Sequence, residues 1–97
     1  MTPTEIRAYC RRRRYSREYA DYWAAHTVCE ACKSSPSGPP HHIRSRGAHG
    51  NVDEPWNLIA LCIWDHTRAH TWGRALFAEF YSAVADKIRA AWERTIP

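Results

Sequence analysis

The stretch from residue 41 to residue 70 constrains this chain most, because it gathers side chains that suit a metal ion. It holds the adjacent pair His41 and His42, then Asn57, then His66 and His70 four residues apart. Imidazole is the commonest metal ligand among side chains, and it also accepts a proton near neutral pH. The cluster therefore predicts a site that holds a cation and supplies a base.

Length and charge limit what this site can belong to. A chain of 97 residues is expected to be a single domain with a thin core. Lysine and arginine exceed the acidic residues by 14 to 10, and most of these cations are arginine. Because the guanidinium group pairs bidentately with phosphate, the bias favours a nucleic-acid partner. For the run 11–14, a solvated helix face is the alternative.

The sequence predicts a cytoplasmic protein with no membrane partner. No apolar segment has the length of a signal peptide or of a membrane span. In a reducing compartment, cysteines are more often thiols or metal ligands than disulfides. This applies to Cys29, Cys32 and Cys62, whereas Cys10 is expected to be a packing residue.

The region 1–26 is predicted to be helical and basic. Thr2 or Thr4 can cap a first helix, and Ser16 can cap a second one that runs toward His26. One continuous helix is the alternative.

The region 27–71 is predicted to contain a β-hairpin and a helix. A short strand begins at His41 and a long loop follows it. The return strand is weakly marked, and apolar residues from Leu58 onward lead into a helix that starts near Asp65. His66 and His70 would share one face of that helix.

The region 74–96, beyond a helix break at Gly73, is predicted to be one amphipathic helix. Its apolar residues recur at three- and four-residue spacing, so we expect them in the core and assign them no chemistry. They are Phe77, Phe80, Tyr81, Val84, Ile88 and Trp92. The predicted fold class is therefore α+β.

The spacing of the histidines predicts that three of them bind a metal ion and that one acts as a base. Successive side chains on a strand point to opposite faces, so His41 and His42 would not easily bind the same ion. One of them would complete a three-histidine site with His66 and His70, and the other could take a proton from water. Thr67 stands where a metalloprotease needs glutamate, which argues against peptide hydrolysis.

These residues resemble the HNH family of nucleases. The resemblance rests on His41-His42-Ile43, on the run Trp-Asn-Leu-Ile-Ala-Leu-Cys at 56–62, and on Asp65-His66 with His70. It implies a ββα-metal fold, a long-looped hairpin packed on a helix around one divalent ion, and a single HNH nuclease domain over residues 1–97.

The resemblance also implies a role for each residue. His42 would be the general base, and His41 and His66 would be metal ligands. His70 matches the extra metal-binding histidine of members that resemble colicin nuclease domains. Asn57 would hold the hairpin loop by hydrogen bonds to its backbone, so that the base is correctly aimed.

The implied activity is metal-dependent hydrolysis of DNA that leaves a 5′-phosphate and a 3′-hydroxyl. The catalytic ion would be Mg²⁺, Mn²⁺, Ni²⁺ or Zn²⁺. Arg44, Arg46 and Arg68 would grip flanking phosphates, although a plain solvent role is an alternative for each. Because phosphate contacts carry no base information, low sequence specificity is expected.

A structural zinc is a further implication of the resemblance. Cys29 and Cys32 match the first cysteine pair of many HNH proteins, and Cys62 begins the second pair. Asp65 stands where the fourth cysteine belongs. A carboxylate can bind zinc, so Asp65 could be the fourth ligand, or His26 in its place. The alternative is that the zinc was lost and the cysteines are small buried residues.

Two other functions remain open from the sequence. A zinc-stabilised DNA-binding module without catalysis would explain the arginines and the cysteines. It would not explain the histidines and Asn57, because a protein that only binds DNA needs no base. A metal-dependent hydrolase of another phosphoester would share the site and differ in its substrate.

Overall fold

The computed structural model describes residues 1–44 and 52–95. Within these ranges the chain forms five α-helices and a two-stranded antiparallel sheet, in agreement with the predicted α+β class. None of the described helices is long and apolar enough to cross a membrane. In chain order the elements are α1 (Pro3–Arg12), α2 (Arg17–Ala25), β1 (His41–His42), a 3-10 helix (Pro55–Asn57), β2 (Leu58–Ile59), α3 (Ile63–Trp72), α4 (Arg74–Phe80) and α5 (Ser82–Glu93).

The N-terminal region contains two helices, not one continuous helix. Thr2 caps α1 through a reciprocal pair of hydrogen bonds with Glu5, and Ser16 caps α2. The chain turns between them at Arg14, whose φ of 59° lies in the left-handed region. Cys10 is buried where the helices pack together, as predicted.

The hairpin consists of two residues on each strand. His41 lies opposite Ile59, and His42 lies opposite Leu58. The return strand therefore begins at Leu58. The sequence pattern predicted that the apolar residues from Leu58 onward lead into the helix that carries His66 and His70.

The extended segment 58–61 separates two halves of the core. Its four side chains are at most 1% exposed, and they alternate as strand residues do. Leu58 and Ala60 pack against α1 and α2. Ile59 and Leu61 pack against apolar residues of α4 and α5. Full burial of a leucine contributes about 1.5–3 kcal/mol, so this segment anchors the strand and helix that carry the histidines.

Glu30 joins the cysteine-containing turn to both halves of the core. Its carboxylate accepts hydrogen bonds from the Ala60 backbone N–H at 2.7 Å and from the Tyr22 hydroxyl at 2.5 Å. It also lies 3.5 Å from the Lys87 ammonium on α5. Burial alone would raise the pKa of Glu30, but these partners lower it below its usual value.

Two boundaries in the C-terminal half differ from the prediction. Helix α3, which carries His66 and His70, starts directly after Cys62, slightly earlier than the predicted start near Asp65. It ends at Gly73, whose φ is 80°. The single helix predicted for 74–96 is wrong, because the chain breaks at Tyr81 into α4 and α5. The Tyr81 hydroxyl lies 2.6 Å from Asp65 in α3, a tertiary contact that periodicity does not include. Phe80, predicted as core, is 70% exposed.

Candidate metal centre and cysteine cluster

Three histidines from two elements converge at one point. His41 lies on β1, and His66 and His70 lie one turn apart on α3. One ring nitrogen from each histidine lies within 4.8 Å of those of the other two. The ring centroids are 4.8–5.0 Å apart. These residues could hold a metal ion, as the sequence predicts.

The chemistry of this donor set fits a cation. Burial, with smaller contributions from the neighbouring His66 and His70, lowers the pKa of His41 to about 3. Burial also lowers the pKa of His66. Because only the neutral imidazole binds a metal, these nitrogens are ready to bind without first losing a proton. Three protein ligands with an open position are typical of catalytic metal sites.

His42 lies outside this cluster, as strand alternation predicts. Its Nε2 atom is 2.6 Å from Oδ1 of Asp53, and its ring stacks on Tyr19 at a centroid distance of 5.6 Å. The His42 side chain is 25% exposed. His41, His42, His66 and His70 line one cavity of about 590 Å³, so His42 borders the same space as the three possible ligands.

Asn57 is fully buried and ties the two ends of the hairpin loop together. Its Oδ1 accepts a hydrogen bond from the Arg44 backbone N–H at 2.7 Å. Its Nδ2 donates to the carbonyl oxygens of Arg44 at 3.2 Å and Val52 at 2.9 Å. These are backbone contacts of the kind that the resemblance implies. They fix the chain two residues after His42 and directly before Asp53.

A second group of possible ligands lies between the cysteine-containing turn and the start of α3. The ligand atoms of Cys29, Cys32, Cys62 and Asp65 all lie within 4.8 Å of one another. Oδ2 of Asp65 is 3.2 Å from the Cys29 sulfur and 3.4 Å from the Cys62 sulfur. His26 is engaged elsewhere, with its Nδ1 2.8 Å from the Tyr22 carbonyl oxygen. Asp65, and not His26, therefore completes a four-residue group that could hold a metal ion.

The two sides of the Asp65 carboxylate have different partners. Oδ2 faces the sulfurs, whereas Oδ1 accepts hydrogen bonds from the Tyr81 hydroxyl at 2.6 Å and from the Arg68 guanidinium at 3.1 Å. Burial alone would raise the pKa of Asp65, but the hydrogen bonds from Tyr81, the two thiols and Arg68 lower it. Outer partners of this kind orient a ligand and keep it ionised.

Tyr81 is a residue of this site that the sequence interpretation missed. It fits the apolar spacing of the C-terminal region, and that spacing assigned it to the core. The signal that could have found it is its hydroxyl, because a tyrosine in a packed position usually directs its O–H to a polar partner.

The arginines predicted to contact phosphate lie in three different situations. Arg44 is buried, and its guanidinium donates to the carbonyl oxygens of Ala91 and Arg94 at the end of α5, which does not support a phosphate contact. Arg68 is about half exposed, but its charge is already paired with Asp65. Arg46 lies outside the described residues.

No family model matches the chain, and comparisons with curated proteins and with solved structures also found no match. The arrangement itself brings together three imidazoles, a fourth imidazole hydrogen-bonded to a carboxylate, and an open cavity. Chemically, such a set can hold a cation and accept a proton in the same space.

Proposed function

We propose that this chain is a metal-dependent HNH endonuclease that hydrolyses phosphodiester bonds of DNA with low sequence specificity. The observation that carries the proposal is the cavity shared by His42 and the cluster of His41, His66 and His70. A general base and a cation site that border one cavity can act together in the hydrolysis of a phosphodiester.

In the proposed reaction, His42 accepts a proton from a water molecule lined up with the phosphorus. The water oxygen forms the new P–O bond, the bond from phosphorus to the 3′ oxygen breaks, and the departing oxygen takes a proton from solvent. His41, His66 and His70 would hold a divalent ion. When bound, this ion supplies positive charge that stabilises the phosphoryl oxygens and the departing oxygen. Asn57 keeps the strand that carries His42 in register with the loop.

The reaction type is tested by the ends that it leaves. Supercoiled plasmid incubated with the protein and Mg²⁺, Mn²⁺ or Ni²⁺ should yield nicked or linear product. Nicks with a 5′-phosphate and a 3′-hydroxyl should be sealed by DNA ligase without any further enzyme. Binding without nicking would support the zinc-stabilised DNA-binding module. Hydrolysis of small phosphodiesters without any nicking would support a hydrolase with another substrate.

We further propose that Cys29, Cys32, Cys62 and Asp65 bind a structural zinc ion. At free zinc about a thousandfold above Kd, such binding adds about 4 kcal/mol to the free energy of unfolding. Asp65→Asn keeps the shape of the side chain but removes its charge, so most of the zinc-dependent rise in Tm should disappear. The measurement is thermal unfolding with and without zinc.

The matched control for this variant is Asp86→Asn. Asp86 is 99% exposed on α5 and pairs only with Arg89 among the described residues. This variant should keep the full zinc effect. Substitution by Co²⁺ gives a second test, because only the cysteine site should produce thiolate-to-cobalt charge-transfer absorption. An equal rise in Tm in Asp65→Asn and in the wild-type protein would contradict the assignment of the fourth ligand.

DNA phosphates are proposed to contact the arginine turn, which we define as Arg11 to Arg14 together with Arg17. All five side chains are exposed, and no ion pair of the described residues includes them. The turn lies beside the proposed base. Ser16, which lies between Arg14 and Arg17, donates a hydrogen bond to Asp53, the partner of His42.

Removing two of these charges should weaken DNA binding and its dependence on salt. For Arg14→Gln/Arg17→Gln we expect the slope of log K against log salt to become shallower by about 0.9 for each phosphate that the protein no longer neutralises. The control Arg7→Gln/Arg89→Gln removes the same charge from residues already paired with carboxylates, Asp21 and Asp86. Equal slopes in the two double variants, measured by fluorescence anisotropy, would exclude the turn as a binding surface for phosphate.

A further inference from the structure

Asp53 connects the hairpin to the N-terminal helices through both of its carboxylate oxygens. Oδ1 lies 2.6 Å from Nε2 of His42, and Oδ2 accepts a hydrogen bond from the Ser16 hydroxyl at 2.7 Å. The Asp53 side chain is only 15% exposed. A largely buried carboxylate with one partner for each oxygen has a fixed orientation.

We propose that Asp53 is the positioning residue for His42, and that it selects Nδ1 as the atom that accepts the proton. This inference rests on the proposed function of His42 as the base. An ionised carboxylate can only accept hydrogen bonds, so the hydrogen between the two groups belongs to Nε2. A neutral imidazole carries one N–H, and its other nitrogen then has a free lone pair. Nδ1 is therefore the basic atom.

The surroundings of the pair restrict the same ring from other directions. The Tyr19 ring lies nearly parallel to that of His42, at an interplanar angle of 19°. The Tyr19 hydroxyl donates to the Pro40 carbonyl oxygen at 2.8 Å, just before the histidine pair. The same Ser16 oxygen that donates to Asp53 also accepts from the Tyr19 backbone N–H and so caps α2.

Through these contacts, the N-terminal helices help to orient the His42 ring. Ser16 and Tyr19 both belong to the start of α2, and each reaches the hairpin or the residue before it. On the other side, Asn57 holds the Val52 carbonyl, directly before Asp53. The orientation of the His42 ring thus depends on three parts of the chain that are distant in sequence.

Kinetics separate positioning from a purely structural role. For Asp53→Ala we expect kcat for plasmid nicking to fall by about ten- to hundredfold, by analogy with the outer partners that orient metal-binding histidines. KM and Mn²⁺ affinity should stay unchanged. Asp53→Asn keeps one acceptor oxygen for the Nε2 hydrogen, so its kcat should lie between those of the wild-type protein and Asp53→Ala. Asp21→Ala removes the same charge from an exposed position and is the control.

The tautomer can be measured without any activity. In ¹⁵N-histidine-labelled, zinc-loaded protein at mildly alkaline pH, the NMR spectrum of His42 should show hydrogen on Nε2. In Asp53→Ala or Ser16→Ala this preference should weaken. Hydrogen on Nδ1 in the wild-type protein would overturn the inference, as would normal kcat in Asp53→Ala. Absence of any nuclease activity in the wild-type protein would overturn the proposed function instead, and the NMR result would still decide the role of Asp53.

Discussion

Replacing His42 by alanine should leave metal binding intact and reduce DNA cleavage by at least about a hundredfold, the usual contribution of a general base. The ring lies outside the cluster of His41, His66 and His70, so its removal takes away no ligand. It does remove an imidazole that is hydrogen-bonded to Asp53 and belongs to a residue bordering their cavity. The measurement is the initial rate of plasmid nicking at saturating Mn²⁺, together with calorimetry of Mn²⁺ binding.

The matched control is His26→Ala, because His26 stacks on Tyr22 and belongs to neither group of possible ligands. It should cleave plasmid at close to the wild-type rate. If His42→Ala nicks plasmid as fast as the wild-type protein and binds Mn²⁺ equally well, His42 is not the base.

Replacing His66 by alanine should abolish both metal binding and cleavage. The cluster then retains two imidazoles, His41 and His70, and the remaining pair loses the geometry that α3 provides. We expect Mn²⁺ affinity to fall below the range that calorimetry detects. Mn²⁺ is a useful probe because thiolate ligands select softer ions, so the cysteine group contributes little to the signal.

Thr67→Ala on the same helix is the control for this variant. The Thr67 side chain is exposed, and among the described residues its hydroxyl donates only to the Ile63 carbonyl one turn earlier. It should bind Mn²⁺ normally. Undiminished Mn²⁺ affinity in His66→Ala would remove this histidine from the metal site and with it the basis of the proposed mechanism.

Local rules predicted much of this site from the sequence. Helix periodicity predicts that His66 and His70 lie together, and strand alternation predicts that His41 and His42 separate. Both predictions are confirmed. The caps at Thr2 and Ser16 and the break at Gly73 were also predictable, because each depends on a few neighbouring residues.

Contacts between distant parts of the chain were beyond these rules. Arg44 looked like a surface cation, but it reaches carbonyl oxygens some fifty residues away, at the end of α5. Tyr81 looked like a core aromatic, but a bond to Asp65 gives its hydroxyl a partner where the predicted helix breaks. Asp53 lay in a predicted loop with no marked role. In each case tertiary packing determines which group the side chain contacts. Helix and strand propensities and hydrophobic periodicity describe only local sequence, so they cannot predict such contacts.

Restoring metal to a single preparation of the wild-type protein shows whether it is a metal-dependent endonuclease. Supercoiled plasmid is incubated with protein in EDTA, and excess Mn²⁺ is then added to half of the sample. We expect the plasmid to stay supercoiled in EDTA and to become nicked or linear after Mn²⁺ is added, whereas His42→Ala and His66→Ala should leave it intact. Plasmid that stays supercoiled with Mn²⁺, or that is cut equally in EDTA, would show that the protein is not a metal-dependent endonuclease.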